Sequence, residues 1–120
     1  MNIIGLGNDI IEIERIRTSL SRHNGLFINK ILTPNETVYS KKFKDPSPHI
    51  AGRFAAKEAI AKALGTGFGK ELQWHDIEIM NNEKGKPICT LSPVKFKNHK
   101  IEISISHCHE YATATAIILL

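Results

Sequence analysis

The stretch Arg53-Phe54-Ala55-Ala56-Lys57-Glu58-Ala59-Ile60-Ala61-Lys62-Ala63-Leu64-Gly65 decides how this chain is read. It has helical character, and alanine stands at five of its thirteen positions where bulkier residues would be usual. At about 100° of rotation per residue, Glu58 and Lys62 share a face with Ala51 and Ala55. Ile50, Phe54, Ala61 and Leu64 form an adjoining apolar stripe that can bury against a core. A carboxylate and an ammonium above small side chains leave room for a ligand beside them. The alternative is an ordinary ion pair one turn apart on a solvated face. The helix is expected from about Pro48 to Leu64, with Gly65 as the residue just past its end.

Working outward, residues 3–10 read as a strand that carries Asp9 near its end, with Gly5 and Gly7 permitting close backbone approach. Residues 12–20 read as a helix with Ile13, Ile16 and Leu20 on one face and Arg15 and Arg22 directed away from it. Glu12 and Glu14 would lie in its first turn, where carboxylates suit the dipole. Thr33-Pro34-Asn35-Glu36 is a capping box that starts a short helix. Residues 44–48 break the chain, and Thr66 to Lys70 form a glycine-containing loop. Further on, residues 76–80 and 87–91 make a hairpin across Asn82-Glu83-Lys84-Gly85-Lys86, where Gly85 supplies a positive φ. Residues 101–106 alternate strictly. Residues 111–119 form the last strand, with Thr113 and Thr115 on one face and Ala112, Ala114 and Ala116 on the other. Helices and antiparallel strands that are not interleaved as βαβ units predict an α+β fold, an antiparallel sheet against one long and several short helices.

With 120 residues the chain is expected to be one domain over 1–120. A net charge of +4 favours anionic partners. The basic residues are scattered and aromatics few, which argues against a sequence-reading nucleic-acid binder. Cys89 and Cys108 lack a disulfide pattern and fit a reducing cytosol. No signal peptide and no membrane-spanning apolar run is expected.

Four places bear chemistry. Asp9 follows small residues at a strand end, and with Glu58 it would supply two carboxylates, a set that suits Mg²⁺ with its waters and phosphate oxygens. As an alternative, Asp9 caps the following helix. Arg53 and Lys62 lie about 180° apart around the long helix and cannot both grip one phosphate from a single helix face. An extended phosphorylated ligand or a neighbouring subunit would reconcile them; otherwise Arg53 is a solvated cation or a helix-start ion pair. The Glu83–Pro87 segment is a turn first, and as a functional loop it would present backbone N–H groups and Lys86 to a phosphate. In Ser104-Ile105-Ser106-His107-Cys108-His109, a zinc site would need ligands from elsewhere, and a Cys–His nucleophile pair would need two side chains that a strand sends to opposite faces. A polar turn with His107 lining a pocket is the reading preferred.

Taken together, Gly5-Leu6-Gly7-Asn8-Asp9-Ile10-Ile11-Glu12-Ile13-Glu14-Arg15-Ile16, Arg53 through Gly67, Gly85-Lys86-Pro87, and Ser104-Ile105-Ser106-His107 with Tyr111-Ala112 resemble the holo-[acyl-carrier-protein] synthases, small 4′-phosphopantetheinyl transferases. The resemblance runs in order from residue 2 to about residue 118. It implies transfer of 4′-phosphopantetheine from coenzyme A to a serine of acyl carrier protein, leaving 3′,5′-ADP. The nucleophile then belongs to the partner. By motif, Asp9 and Glu58 match Mg²⁺ ligands, and Lys62 matches the cation beside the transferring phosphate. Arg53, Gly65, Lys86, Pro87 and His107 match positions around the coenzyme A nucleotide. Arg15 and Arg22 match the basic helix that docks the acidic carrier. A cytoplasmic homotrimer with sites between subunits is implied as well. Glu58, a metal-bound water and His107 stay open as the general base. A non-catalytic coenzyme A-binding module of the same fold is the competing expectation.

Overall fold

The computed structural model describes residues 1–120, the side chain of Asn24 apart. The elements run β1 (Ile3–Glu12), α1 (Ile13–Ile31), α2 (Pro34–Ser40), α3 (Ser47–Leu64), β2 (Ile77–Asn81), β3 (Pro87–Leu91), β4 (Lys100–His107) and β5 (Tyr111–Leu119), with a single 3-10 turn at Trp74–Asp76 before β2. Both sheets are antiparallel. One has the order β1-β5-β4, the other is the β2-β3 hairpin. Gly7 lies opposite Ala116, Asp9 opposite Ala114, and His107 opposite Ala112. The α+β expectation holds, and the strands at 87–91 and 111–119 have the bounds the sequence predicts.

β2 and β4 differ from the sequence reading by one residue at each end, and three further differences lie at β1 and α1. β1 continues past Ile10 to Glu12, because Ile11 is buried and Glu12 pairs with Tyr111. The α1 helix therefore starts at Ile13, and Glu12 is its N-cap rather than a first-turn residue. At its other end α1 runs to Ile31 instead of Leu20. The weak helix former Gly25 falls inside it, yet Phe27 and Ile28 pack against the core and Ile31 is buried, and that burial overrides local propensity.

The inner face of the three-stranded sheet packs on α3. From β5 it offers Ala112, Ala114, Ala116 and Ile118, all buried. α3 in turn carries the buried Ala51, Ala55, Ala56, Ala59 and Ala61, of which Ala51, Ala55 and Ala59 share the side that meets β1. β1 comes closer still. A Cβ on Gly7 would run into the carbonyl oxygen of Ala59, and one on Gly5 into that of Ala63. Glycine is thus required by the proximity of two backbones. The α3 helix is buried almost all round, which explains its alanine content better than a single apolar stripe does.

On the far side of α3 a charged pair is fully buried. Lys57 Nζ donates to Glu36 Oε1 at 2.6 Å, to the Ile31 carbonyl at 2.7 Å and to the Trp74 carbonyl at 3.3 Å. Glu36 Oε1 also accepts from the Thr33 N–H and its Oε2 from the Ile79 N–H, each at 2.8 Å. Four segments are tied to α3 by this network: the end of α1, the start of α2, the turn at Trp74, and β2. Every polar atom in it is satisfied, which is the condition for burying a charge pair without a large penalty.

If the β1–α3 approach governs the fold, Gly7→Ala lowers the unfolding free energy by about 3 kcal/mol in urea denaturation. Gly25→Ala, a helix position with open space around it, raises stability by roughly 0.5–1 kcal/mol. Equal effects at the two positions would remove the close approach as the controlling constraint.

Candidate functional site

Asp9 points from β1 toward α3. Its carboxylate Oδ1 accepts from Lys62 Nζ at 3.0 Å, and the same ammonium donates to the Asn8 carbonyl at 3.0 Å. The pair is open to solvent on one side: the Asp9 side chain is 16% exposed and that of Lys62 56%. Glu58, half-buried one turn before Lys62, has its carboxyl raised above the ordinary carboxylate value. Burial is the larger cause, the Asp9 carboxylate adds to it, and Lys62 opposes it. Asp9, Glu58 and Lys62 therefore share one electrostatic site. The simple ion pair between Glu58 and Lys62 does not form, since Lys62 turns across to β1. Among the described residues no third His, Cys, Asp or Glu completes a metal-binding group with any such pair. Asp9 lies within the strand, bonded through its carbonyl to the Thr113 hydroxyl at 2.9 Å, and is no helix cap.

Arg53 stands on the opposite side of α3. It is buried, and its Nε donates to the Ile79 carbonyl at 3.1 Å and its Nη2 to Asn81 Oδ1 at 2.8 Å. The guanidinium carbon lies 4.7 Å from the centre of the Tyr39 ring. The solvated-cation and helix-start ion-pair readings of Arg53 both fail, because the helix side it occupies faces β2 and α2. Arg53, Pro87 and His107 line a common cavity of about 350 Å³ together with His49, Tyr39 and Phe43. Lys86 is outside it, with Nζ 3.5 Å from the exposed Glu102 carboxylate. Gly65 ends α3 with φ +77° and N–H donors to the Ala61 and Lys62 carbonyls, each at 3.1 Å.

Three N–H groups of the hairpin loop are already engaged within it. Those of Lys84 and Lys86 donate to Asn82 Oδ1 at 3.0 and 2.9 Å, and that of Gly85 to the Asn82 carbonyl. β4 ends at His107 and Cys108 enters the turn, its N–H bonded to the Tyr111 carbonyl at 2.9 Å. Both cysteines are free thiols. Arg15 and Arg22 are exposed on α1. Their neighbour Arg17 is committed instead to Glu14 and Asp45, at 3.0 and 2.8 Å.

Sequence reasoning missed the buried role of Lys57, and it missed His49 and Tyr39 in the cavity wall. The lysine carried a faint signal: it lies between two pairs of alanines on a helix that proves buried all round. The cavity residues come from α2, α3, the hairpin and β4, which no local spacing connects.

The profile of the 4′-phosphopantetheinyl transferase superfamily matches residues 5–116. A holo-[acyl-carrier-protein] synthase of Protochlamydia amoebophila is 51% identical over 117 residues, covering 95% of this chain and 96% of that protein. A holo-(acyl-carrier-protein) synthase from Bacillus anthracis, solved in complex with CoA (3′,5′-ADP), is 43% identical. It superposes with a TM-score of 0.87 over 97% of this chain and 96% of its own. The Helicobacter pylori enzyme in complex with coenzyme A is 40% identical with a TM-score of 0.89, over 95% and 99% of the two chains. A profile match over nearly the whole length, half-identical relatives and the shared fold agree: the chain belongs to the holo-[acyl-carrier-protein] synthases of the 4′-phosphopantetheinyl transferase superfamily.

Proposed function

We propose that residues 1–120 act as one Mg²⁺-dependent domain that moves 4′-phosphopantetheine from coenzyme A to a serine of apo acyl carrier protein, releasing 3′,5′-ADP, in cytoplasmic fatty acid synthesis. The observation that carries the reading is the triad of Asp9, Glu58 and Lys62 beside an open face. Two carboxylates without a third protein ligand fit Mg²⁺, which keeps waters and takes substrate phosphate oxygens rather than demanding a full protein cage. Bound by Asp9 and Glu58, the ion would neutralise the diphosphate and stabilise the charge that builds on the leaving phosphate. Lys62 adds a mobile cation at the same place, held by Asp9 until an anion arrives. The carrier's serine oxygen attacks the phosphorus next to the pantetheine. The bond to the ADP oxygen breaks, and the electron pair leaves with 3′,5′-ADP. Glu58 and His107 are this chain's candidates to receive the serine proton. Arg53, Gly65, Lys86, Pro87 and His107 surround the nucleotide. Free thiols at Cys89 and Cys108 support a reducing, cytoplasmic setting, and among the described residues no helix is long and apolar enough to cross a membrane.

Arg53 and Lys62 point to opposite sides of α3, nine residues and about 13 Å of helix apart. A homotrimer reconciles them by completing each site from two subunits. The outer face of the three-stranded sheet supports this. Leu6 and Ile10 are 68% and 63% exposed on β1, and Thr113, Thr115 and Ile117 continue the patch on β5. Asn8 stands between Leu6 and Ile10, and Ser104 and Ser106 flank Thr115 and Thr113 on β4, so exposed aliphatic side chains alternate with short polar ones on a face that a partner subunit can cover. Arg15 and Arg22, exposed on α1, supply positive charge for the acidic carrier.

Glu58→Ala is expected to lower kcat about 10³-fold or more at any Mg²⁺ concentration while leaving the oligomer intact; intact-mass detection of holo carrier reads this, and near-normal turnover would sink the metal assignment. Leu6→Glu should give folded monomers in sedimentation velocity and lose transfer, whereas an active monomer would refute the shared site. Arg15→Glu should raise KM for the carrier about tenfold at low salt, leave KM for coenzyme A unchanged, and converge on the parent enzyme as salt rises. A KM for the carrier that does not move would remove α1 from the docking surface.

A further inference from the structure

We infer that His49 is a second imidazole of the nucleotide cavity, and that with His107 it forms a proton-linked pair taking a phosphomonoester of the bound nucleotide. This rests on the coenzyme A reading of the cavity proposed above and adds to it a residue that the sequence motifs leave unassigned.

Geometry carries the inference. His49 stacks on Phe43 with ring centres 3.5 Å apart and planes within 17°, so its orientation is held. His107 approaches edge-on, with centres 6.1 Å apart and planes at 66°. Both rings line the cavity, and so does Arg53. The imidazoles that hydrogen-bond within the fold belong to His75 and His99. Among the described residues His49 and His107 make no such bond, which leaves their ring nitrogens available to a ligand. The cavity wall also contains Tyr39 and Asn81 but no carboxylate. The nearest acid, Asp45, is engaged by Arg17 Nη2 at 2.8 Å and by the Ser47 N–H at 3.1 Å. Lys42 sits over the Tyr39 ring, 5.3 Å from its centre, and adds positive charge nearby. A cavity walled by two imidazoles and a guanidinium, with no acid of its own, is built for an anion.

The charge state follows from the same neighbours. Burial holds His49 below the ordinary imidazole value, and the neighbouring His107 ring and the Arg53 guanidinium push it further down, with Asp45 opposing. His49 is therefore mostly neutral at neutral pH in the free protein. A phosphate between the rings stabilises the imidazolium and raises its pKa in the complex. Binding then draws in a proton. Affinity rises as pH falls through the bound-state value and levels off below the free-state value.

The test is calorimetric titration of the intact enzyme with 3′,5′-ADP at pH 6 and pH 8, for the parent and for His49→Phe, which keeps the stack on Phe43 and removes the charge. The ratio of the two affinities cancels the ligand's own phosphate titration. We expect the variant to bind about five- to tenfold more weakly at pH 6 and within about 1.5-fold at pH 8. The parent should also take up more protons on binding than the variant in buffers of different ionisation enthalpy. Nucleotide that binds with a ratio independent of pH would overturn the role of His49 and leave the coenzyme A site standing. No binding of 3′,5′-ADP by either protein at either pH would overturn the cavity reading and this inference with it.

Discussion

The close contact of β1 with α3 is the constraint on which the rest depends. Two glycines on the strand and a series of alanines on the helix let the backbones meet with almost nothing between them. That distance is what places Asp9, two residues past Gly7, within reach of Lys62 and in the field of Glu58. A larger residue at Gly5 or Gly7 would lift the strand off the helix and part the carboxylates. Small residues here serve geometry more than propensity. The helix-forming tendency of alanine is a secondary benefit.

The opposite side of α3 is organised by polar rather than apolar contact. Lys57 and Glu36, both without solvent exposure, tie α1, α2, β2 and the turn at Trp74 to the helix. Removing one partner would leave a buried charge without compensation, at a cost of about 3–5 kcal/mol. The network also supports one wall of the cavity beside the hairpin. Glu36 holds the Ile79 N–H, and Arg53 is held in turn by the Ile79 carbonyl and by Asn81. One helix thus carries charged groups on opposite sides, with Glu58 and Lys62 toward the large sheet and Arg53 in the wall of the cavity beside the hairpin.

Much of this could be read from the residues. The turn at Asn82–Lys86 placed the hairpin strand at 87–91, and the two-faced pattern of β5 placed it at 111–119, because half-buried strands need period-two patterning. The Thr33–Glu36 capping box appeared as expected, with Thr33 Oγ1 accepting from the Glu36 N–H. Asp9 and Glu58 were selected as a pair from chemistry alone, and the fold brings them to one site. The extent of α1 was not legible. Its second half contains weak helix formers, and only the core that receives Phe27, Ile28 and Ile31 makes it helical. Nor was the state of Arg53, whose partners are backbone and side-chain groups of β2, 26 and 28 residues away.

The sequence by itself determined the α+β class, through the patterning of its elements, and the family, through a resemblance that runs in order along almost the whole chain. Only the tertiary structure decided what the charged groups do to one another. It turned Lys62 from Glu58 to Asp9, buried Lys57 and Arg53, and set His49 against His107. These outcomes depend on contacts between residues 21 to 58 positions apart, and on the solvent those contacts exclude. Charge and burial set protonation and strength together, and burial exists only once the chain has folded.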